Sequence, residues 1–238
     1  MPPESSPRRT SPLTYRTIDL DAIRQVADVH RQAFPDSAVT QLGPAVVRRY
    51  YRWQLTGPHP TPYSLGAWRD GELVGFVFGG LRYKAVAGFA RGSLGTIALG
   101  ALTHPRAIRS LALPKVTSLA RLMVYRRGPA DAPTPVPAYP SPPDDAAHSV
   151  GQPDTECTGP SFGILSIAVL PSAQGSGVAN ELMGRAKAAA IEHGFSQMNL
   201  TVQVDNARAI AFYEKWGWER SLNAGDWTGA MLLRLEGS

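Results

Sequence analysis

Between residues 163 and 218 the chain runs strand, glycine-rich loop, helix, strand, short helix, and no other stretch restricts the fold so strongly. Residues 165–169 (LSIAV) form a short β-branched run, and Pro171 ends it because proline has no N–H for a ladder. Gln174, Gly175, Ser176, Gly177, Val178 and Ala179 follow, at the start of a helix with Leu182, Met183, Ala186 and Ala190 on its apolar face. Closely spaced glycines turn the backbone tightly and bring successive N–H groups towards one point. The first helical turn adds unpaired N–H groups and a partial positive charge, so the loop suits a phosphate or pyrophosphate. Residues 198–204 then alternate apolar Met198, Leu200, Val202 and Val204 with polar Asn199, Thr201 and Gln203, the pattern of a strand. Asp205–Asn206 open a helix that carries Ala209, Ile210 and Phe212 and runs into Tyr213, with Gly217 as its terminator.

The residues before this stretch supply the rest of a sheet. Residues 15–19 suit a short first strand, and Asp19 or Asp21 can cap a helix with Ile23, Val26, Ala27 and Phe34 at helical spacing, ended by Pro35. A second helix is expected over 42–55, with Val46, Val47, Tyr50, Tyr51 and Trp53 in its apolar pattern. Residues 64–69, the Asp70–Gly71 turn and residues 72–79 read as a hairpin. Both faces of its second arm are apolar, which predicts a strand covered on both sides.

Two inserted segments differ sharply from this frame. Residues 81–127 carry nine Lys and Arg and no Asp or Glu, and they suit two or three helices broken near Gly100, Pro105 and Pro114. They fit either a helical lid with a solvated basic face or an amphipathic element lying on an anionic substrate or in peripheral contact with an anionic membrane surface. The apolar run 93–102 is too short to span a bilayer, which takes ~20 residues. Residues 128–160 hold nine prolines and five acidic residues without Lys or Arg, and read as an exposed loop. The expected organisation is a single α/β domain over 13–238, interrupted by these two segments and preceded by a Pro/Ser-rich tail at 1–12.

Composition narrows the function classes. The single cysteine, Cys157, excludes an intramolecular disulfide and a Cys-rich zinc site, and nothing marks it as an activated nucleophile. No metal is expected. The first residues lack an apolar signal core, so the cytoplasm is the expected location. A net charge of +5 suits an anionic ligand or surface. Nucleic acid ranks lowest among these, because no basic motif is interleaved with aromatics.

Two phosphate motifs can be tested against the loop. No Lys follows Gly177, so it is not a Walker loop. Asn180 stands where a dinucleotide fingerprint needs its third glycine, and the next strand has no acidic residue, so a Rossmann site fails too. The pattern instead resembles the GNAT family, the GCN5-related N-acetyltransferases. Its acetyl-CoA loop, [R/Q]-x-x-G-x-[G/A], is matched by Gln174, Gly177 and Ala179. Its second signature, N-x-x-A-x-x-x-Y-x-x-x-G-[F/W], is matched by Asn206, Ala209, Tyr213, Gly217 and Trp218.

The resemblance implies a GNAT fold with a mixed, mostly antiparallel sheet flanked by helices. It implies transfer of an acetyl group from acetyl-CoA, as co-substrate, to an amine by direct attack. By position, the backbone of Ile167, Ala168 and Val169 would pair with the pantetheine arm like an added strand. Amides of Gly175, Ser176, Gly177, Val178, Ala179 and Asn180 would hold the pyrophosphate, and Asn206 would bond the cofactor near its pantetheine end. Asn206 has a second reading as a helix N-cap. Tyr213 would protonate the departing thiolate. Trp216 and Trp218 read as packing residues.

One departure concerns the base. An alkylamine of pKa near 10 is mostly protonated at pH 7 and must lose a proton before attack. Some family members carry a glutamate upstream of the Asn, where this chain has Asn199, Thr201 and Gln203; Ser166 on the preceding strand is no base either. Glu72, His148, Glu156 and Asp226 remain, alongside a water chain or an acceptor amine of lower pKa. The missing base keeps open a competing class, a non-catalytic module that binds acyl-CoA and engages an anionic surface or partner.

Overall fold

The computed structural model describes residues 11–57, 62–81, 161–222 and 225–235. The expected basic helices after Leu81, the Pro-rich loop of 128–160 and the first ten residues of the tail lie outside the described residues, as do His148 and Glu156.

The elements in chain order are β1 (Thr14–Arg16), α1 (Ile23–Ala33), α2 (Ala38–Gln41), α3 (Pro44–Thr56), β2 (Tyr63–Arg69), β3 (Glu72–Gly80) and β4 (Ser161–Val169). A 3-10 turn at Pro171–Ala173 leads to α4 (Val178–Glu192), β5 (Gln197–Thr201), α5 (Ala207–Lys215), β6 (Glu219–Arg220) and β7 (Ala230–Arg234). The strands form one sheet in the order β1-β2-β3-β4-β5-β7-β6. Every neighbouring pair is antiparallel except β4 with β5. This is the mixed, mostly antiparallel sheet expected.

The hairpin forms at Asp70–Gly71, with φ of 53° and 80° at the two residues, and β3 is buried from Leu73 to Gly80. Positive φ at both turn residues matches the right-handed twist of the arms. One face of the sheet packs on α1 and α3 through Val26, Val47, Tyr51, Phe76 and Phe78. The other packs on α4 and α5 through Val77, Phe162, Leu182, Met183 and Tyr213. Each large apolar side chain so buried contributes roughly 1.5–3 kcal/mol, so β3 and β4, apolar on both faces, anchor both layers.

Several boundaries differ from the expectations for local reasons. β1 ends at Arg16 rather than Asp19, whose carboxylate accepts the Ala22 N–H at 3.0 Å and turns the chain into α1. A short helix, α2, precedes the second long one; Ser37 caps it by accepting the Thr40 N–H at 3.1 Å. The long helix starts at Pro44, not Leu42, because Gly43 takes a φ of 97° and proline suits the first helical position. The strand expected over 198–204 stops at Thr201. There the Val202 N–H bonds to the Gly229 carbonyl at 2.9 Å, and Val204 turns out to solvent. A Cβ on Gly229 would lie 2.0 Å from the Val202 carbonyl oxygen, so this approach admits only glycine. β6 and β7 extend the sheet where no strand was foreseen.

Candidate active site

Among the described residues, the only parallel pairing in the sheet is also its shortest internal seam. Ser161, Phe162 and Gly163 pair with Gln197, Met198 and Asn199, and there the two strands part. Beyond Gly163, β4 continues to Val169 paired with β3 alone among the described residues. Its other edge therefore leaves backbone N–H and C=O groups facing a gap in the middle of the sheet. Such groups demand partners. The register against β3 shifts between Phe78, opposite Ser166, and Gly79, opposite Ile164, which makes Leu165 the extra residue of a β-bulge. The bulge turns Leu165 and Ser166 together towards α1 and α3, while Ile164 and Ile167 face the α4 layer.

A cleft of about 440 Å³ opens along this edge, bounded by Ile167, Ala168 and Val169 on one side and by Asn206, Ala209 and Tyr213 on the other. Its floor is the glycine loop. Gly175 and Gly177 take φ of 83° and 84°, and Gly177 is the N-cap of α4. A Cβ on either glycine would meet no protein atom within 4 Å. These glycines are thus demanded by backbone angle, and the space beside them is open to a ligand at a helix N-terminus. The Ser176 hydroxyl donates to the Ala173 carbonyl at 2.6 Å and stiffens the loop. Val178 is buried under the loop, and Ala179 and Asn180 follow in the first turn of α4.

Of the sequence-predicted cofactor-binding residues and Tyr213, all but Ser176 and Val178 border this cleft, with differing side-chain roles. Asn206 caps α5 through the Ala209 N–H at 3.1 Å and also borders the cleft. The Asn180 side chain accepts from the Trp216 indole at 3.1 Å, tying α4 to the end of α5. Trp218 is buried against Tyr213, ring centroids 5.9 Å apart. Gln174 donates to the Val169 carbonyl at 3.4 Å and accepts from Arg208. Glu72 lies instead in a shallow hollow beside Gln25, Asp28 and Gln32, and neither it nor Asp226 borders the cleft.

Tyr213 is held where α5 ends by Gly217, with φ of 82°, and by Trp218 N–H donating to its carbonyl at 3.1 Å. Burial pushes its phenol up to about 12. It remains a protonated O–H donor throughout the neutral range. At that value full transfer to a thiolate of conjugate pKa about 8.5 is uphill in water. A thiolate desolvated in the same cleft has its own pKa raised, which brings the pair closer.

Sequence reasoning passed over two residues. Arg208 projects from the first turn of α5, borders the cleft and donates to Gln174. A cation in a helix's first turn opposes the helix dipole, and that mismatch was the available signal for an anionic neighbour. Phe34, at the end of α1, closes the cleft from the other layer. Its signal, an apolar residue just before a proline, is shared with many helix ends.

A mixed sheet that splits between two parallel strands, with a glycine loop feeding a helix at the split, is the fold of N-acetyltransferases of the GNAT type. Residues 146–218 match the sequence model described as the acetyltransferase (GNAT) family. Among solved structures it is similar to the PaiA N-acetyltransferase of Thermoplasma acidophilum in complex with coenzyme A (10% identity, TM-score 0.51, 94% of this chain and 99% of that one). It is also similar to an N-acetyltransferase from Staphylococcus aureus Mu50 (13% identity, TM-score 0.52, 95% and 99%). A third is the ribosomal-protein-S18-alanine N-acetyltransferase from Escherichia coli (12% identity, TM-score 0.50, 95% and 96%). No curated protein matches the sequence.

Proposed function

We propose that this protein transfers an acetyl group from acetyl-CoA to a primary amine, of a small molecule or a protein N-terminus, by direct attack. The observation that carries the reading is the edge of β4, unpaired among the described residues, that faces a cleft ending in the glycine loop. An extended amide-bearing arm satisfies that edge as a strand would, and the loop and Arg208 supply N–H groups and positive charge for a pyrophosphate. The match to the GNAT family over 146–218 supports the same donor.

On this reading the chain's residues divide the work. Backbone N–H groups of β4 beside the bulge polarise the thioester carbonyl and stabilise the oxyanion formed as the amine attacks. The carbon–nitrogen bond forms, the carbon–sulfur bond breaks, and the thiolate leaves towards Tyr213. The phenol O–H passes its proton to that sulfur, and the proton given up by the nitrogen as it becomes the amide restores the phenol.

Coenzyme A titrated into the protein and followed by calorimetry tests the donor side; no binding at millimolar ligand would overturn it. Tyr213→Phe is expected to lower turnover about 100-fold while leaving acetyl-CoA affinity within about twofold; unchanged turnover removes Tyr213 from the chemistry. The described lining of the cleft contains no Asp, Glu or His, which favours a second reading as a module that binds acyl-CoA without turnover. Release of free thiol across an amine panel separates the two.

A further inference from the structure

The amine must lose a proton, and the described lining of the cleft holds no carboxylate or imidazole to take it. Behind β4, however, a line of polar side chains runs through the apolar layer beneath α1 and α3. Ser166 Oγ lies 2.9 Å from the Tyr51 hydroxyl, which lies 2.7 Å from His30 Nδ1. His30 Nε2 lies 3.1 Å from Ser37 Oγ, and Ser37 donates to Thr40 Oγ1 at 3.0 Å. We propose that Ser166, Tyr51, His30, Ser37 and Thr40 form a proton relay that carries the acceptor ammonium's proton from the cleft to solvent. The proposal rests on the acyl-transfer reading above.

The donors and acceptors sort into one direction. Ser37 donates to Thr40, so it accepts from His30 Nε2–H. Nδ1 is then the bare nitrogen and accepts from Tyr51, whose oxygen accepts from Ser166. Each hydroxyl therefore points its proton away from β4. The two ends are also placed for entry and exit. Ser166 is half-buried on the bulged part of β4, between Leu165 and the cleft-bordering Ile167, and Thr40 is half-buried on α2. Between them, Tyr51 is 0% exposed and His30 6% exposed. Phe34 stacks edge-on against His30 with centroids 5.1 Å apart and borders the cleft itself, so the middle of the line also lies one ring away from it.

Packing alone gives no reason for this line, since phenylalanine at 51 and an aliphatic residue at 30 would fill an apolar layer without buried polar atoms. In the transfer step an ammonium N–H passes to Ser166 Oγ as Ser166 passes its own proton to Tyr51. Tyr51 gives its phenolic proton to His30 Nδ1, and His30 releases the Nε2 proton to Ser37. Ser37 passes one to Thr40, and Thr40 passes one to water. The amine ends neutral, one proton leaves, and every relay oxygen keeps its proton count. Hydroxyl rotation and tautomer exchange in the imidazole restore the starting arrangement. Burial lowers the His30 pKa to about 4, so the ring is neutral at pH 7 and passes a proton on without retaining it. Ser166, next in sequence to the cleft-bordering Ile167, is the entry end of the line, and Tyr51 and His30 are positioning residues that act through it.

The test uses the full chain and thiol release at pH 7 with two acceptors of similar size: an alkylamine, and an alkoxyamine that is already neutral. Ser166→Ala and Tyr51→Phe are expected to lower kcat for the alkylamine by about 10- to 100-fold, with the alkoxyamine rate and coenzyme A affinity within about threefold of wild type. Ser166→Thr, which keeps the hydroxyl, restores the alkylamine rate. As pH rises to 9 the alkylamine defect shrinks. Equal losses for both amines in both variants, or no loss in either, overturn the relay and leave acyl transfer standing. A wild-type protein that releases no thiol with any amine overturns the acyl-transfer reading, and the relay with it.

Discussion

His30 ties the stability of the α1–α3 layer to pH, and its effect can be worked out in advance. The imidazole is buried between Phe34 and Tyr51, and desolvation holds its folded pKa near 4 against 6.5 for the free group. A folded pKa below the unfolded one means the unfolded chain binds the proton more readily. The associated stability is thus complete above pH 6.5, falls as pH drops towards 4, and is gone below that. With about 1.4 kcal/mol per pKa unit, the whole shift is worth roughly 3 kcal/mol, of which about 2 kcal/mol is lost between pH 7.5 and pH 5. Urea unfolding of wild type and His30→Gln at both pH values isolates it, because every other titrating group cancels in the comparison. The stability gap between the two proteins should narrow by about 2 kcal/mol at pH 5, on the order of 1 M in the urea midpoint. A gap that stays constant with pH would show that the ring titrates alike in both states, and that the buried neutral imidazole is wrong.

Three other substitutions bear on the loop and the sheet. Gly177→Ala is expected to cost about 1–2 kcal/mol, because only its φ of 84° resists a side chain and no atom crowds the site; thermal unfolding reads this. Gly229→Ala, with its Cβ driven to 2.0 Å from the Val202 carbonyl, should cost more than Gly177→Ala in the same measurement and loosen the β5–β7 seam. Arg208→Gln should weaken coenzyme A binding about tenfold and flatten its dependence on salt, as calorimetry at two ionic strengths would show.

The legible parts of the fold were those governed by local rules. The Asp70–Gly71 turn, the helix of 178–192 and the glycine cap at 217 each follow from a residue whose backbone preference allows few alternatives. What the sequence concealed was tertiary. Residues 202–204 continue a perfect alternation, yet the ladder stops because Val202 meets a carbonyl from Gly229, distant in sequence. The C-terminal strand MLLR was overlooked since a short apolar run near a chain end has no period of its own to declare it. The glycine loop proposed for the donor was readable because a helix N-terminus entered through glycines leaves a spaced signature. Ser166, Tyr51 and His30 leave none. They come from three elements, are separated by 115 and 21 residues, and each alone looks like a core residue with a polar tip.

The parting of β4 and β5 has a consequence for how the protein meets other chains. An exposed strand edge is ordinarily a hazard, since any extended polypeptide can add to it and begin aggregation. Here the edge left unpaired among the described residues is recessed inside the sheet, flanked by half-sheets and roofed by α1 on one side and α5 on the other. A single narrow arm fits the slot, whereas a pleated strand with side chains on both faces meets walls. A ligand that fills the slot also completes the sheet, so it acts as a removable structural element. By mass action a hundredfold excess over its dissociation constant adds about 2.7 kcal/mol to the folded state, making the melting temperature of this protein a gauge of donor supply.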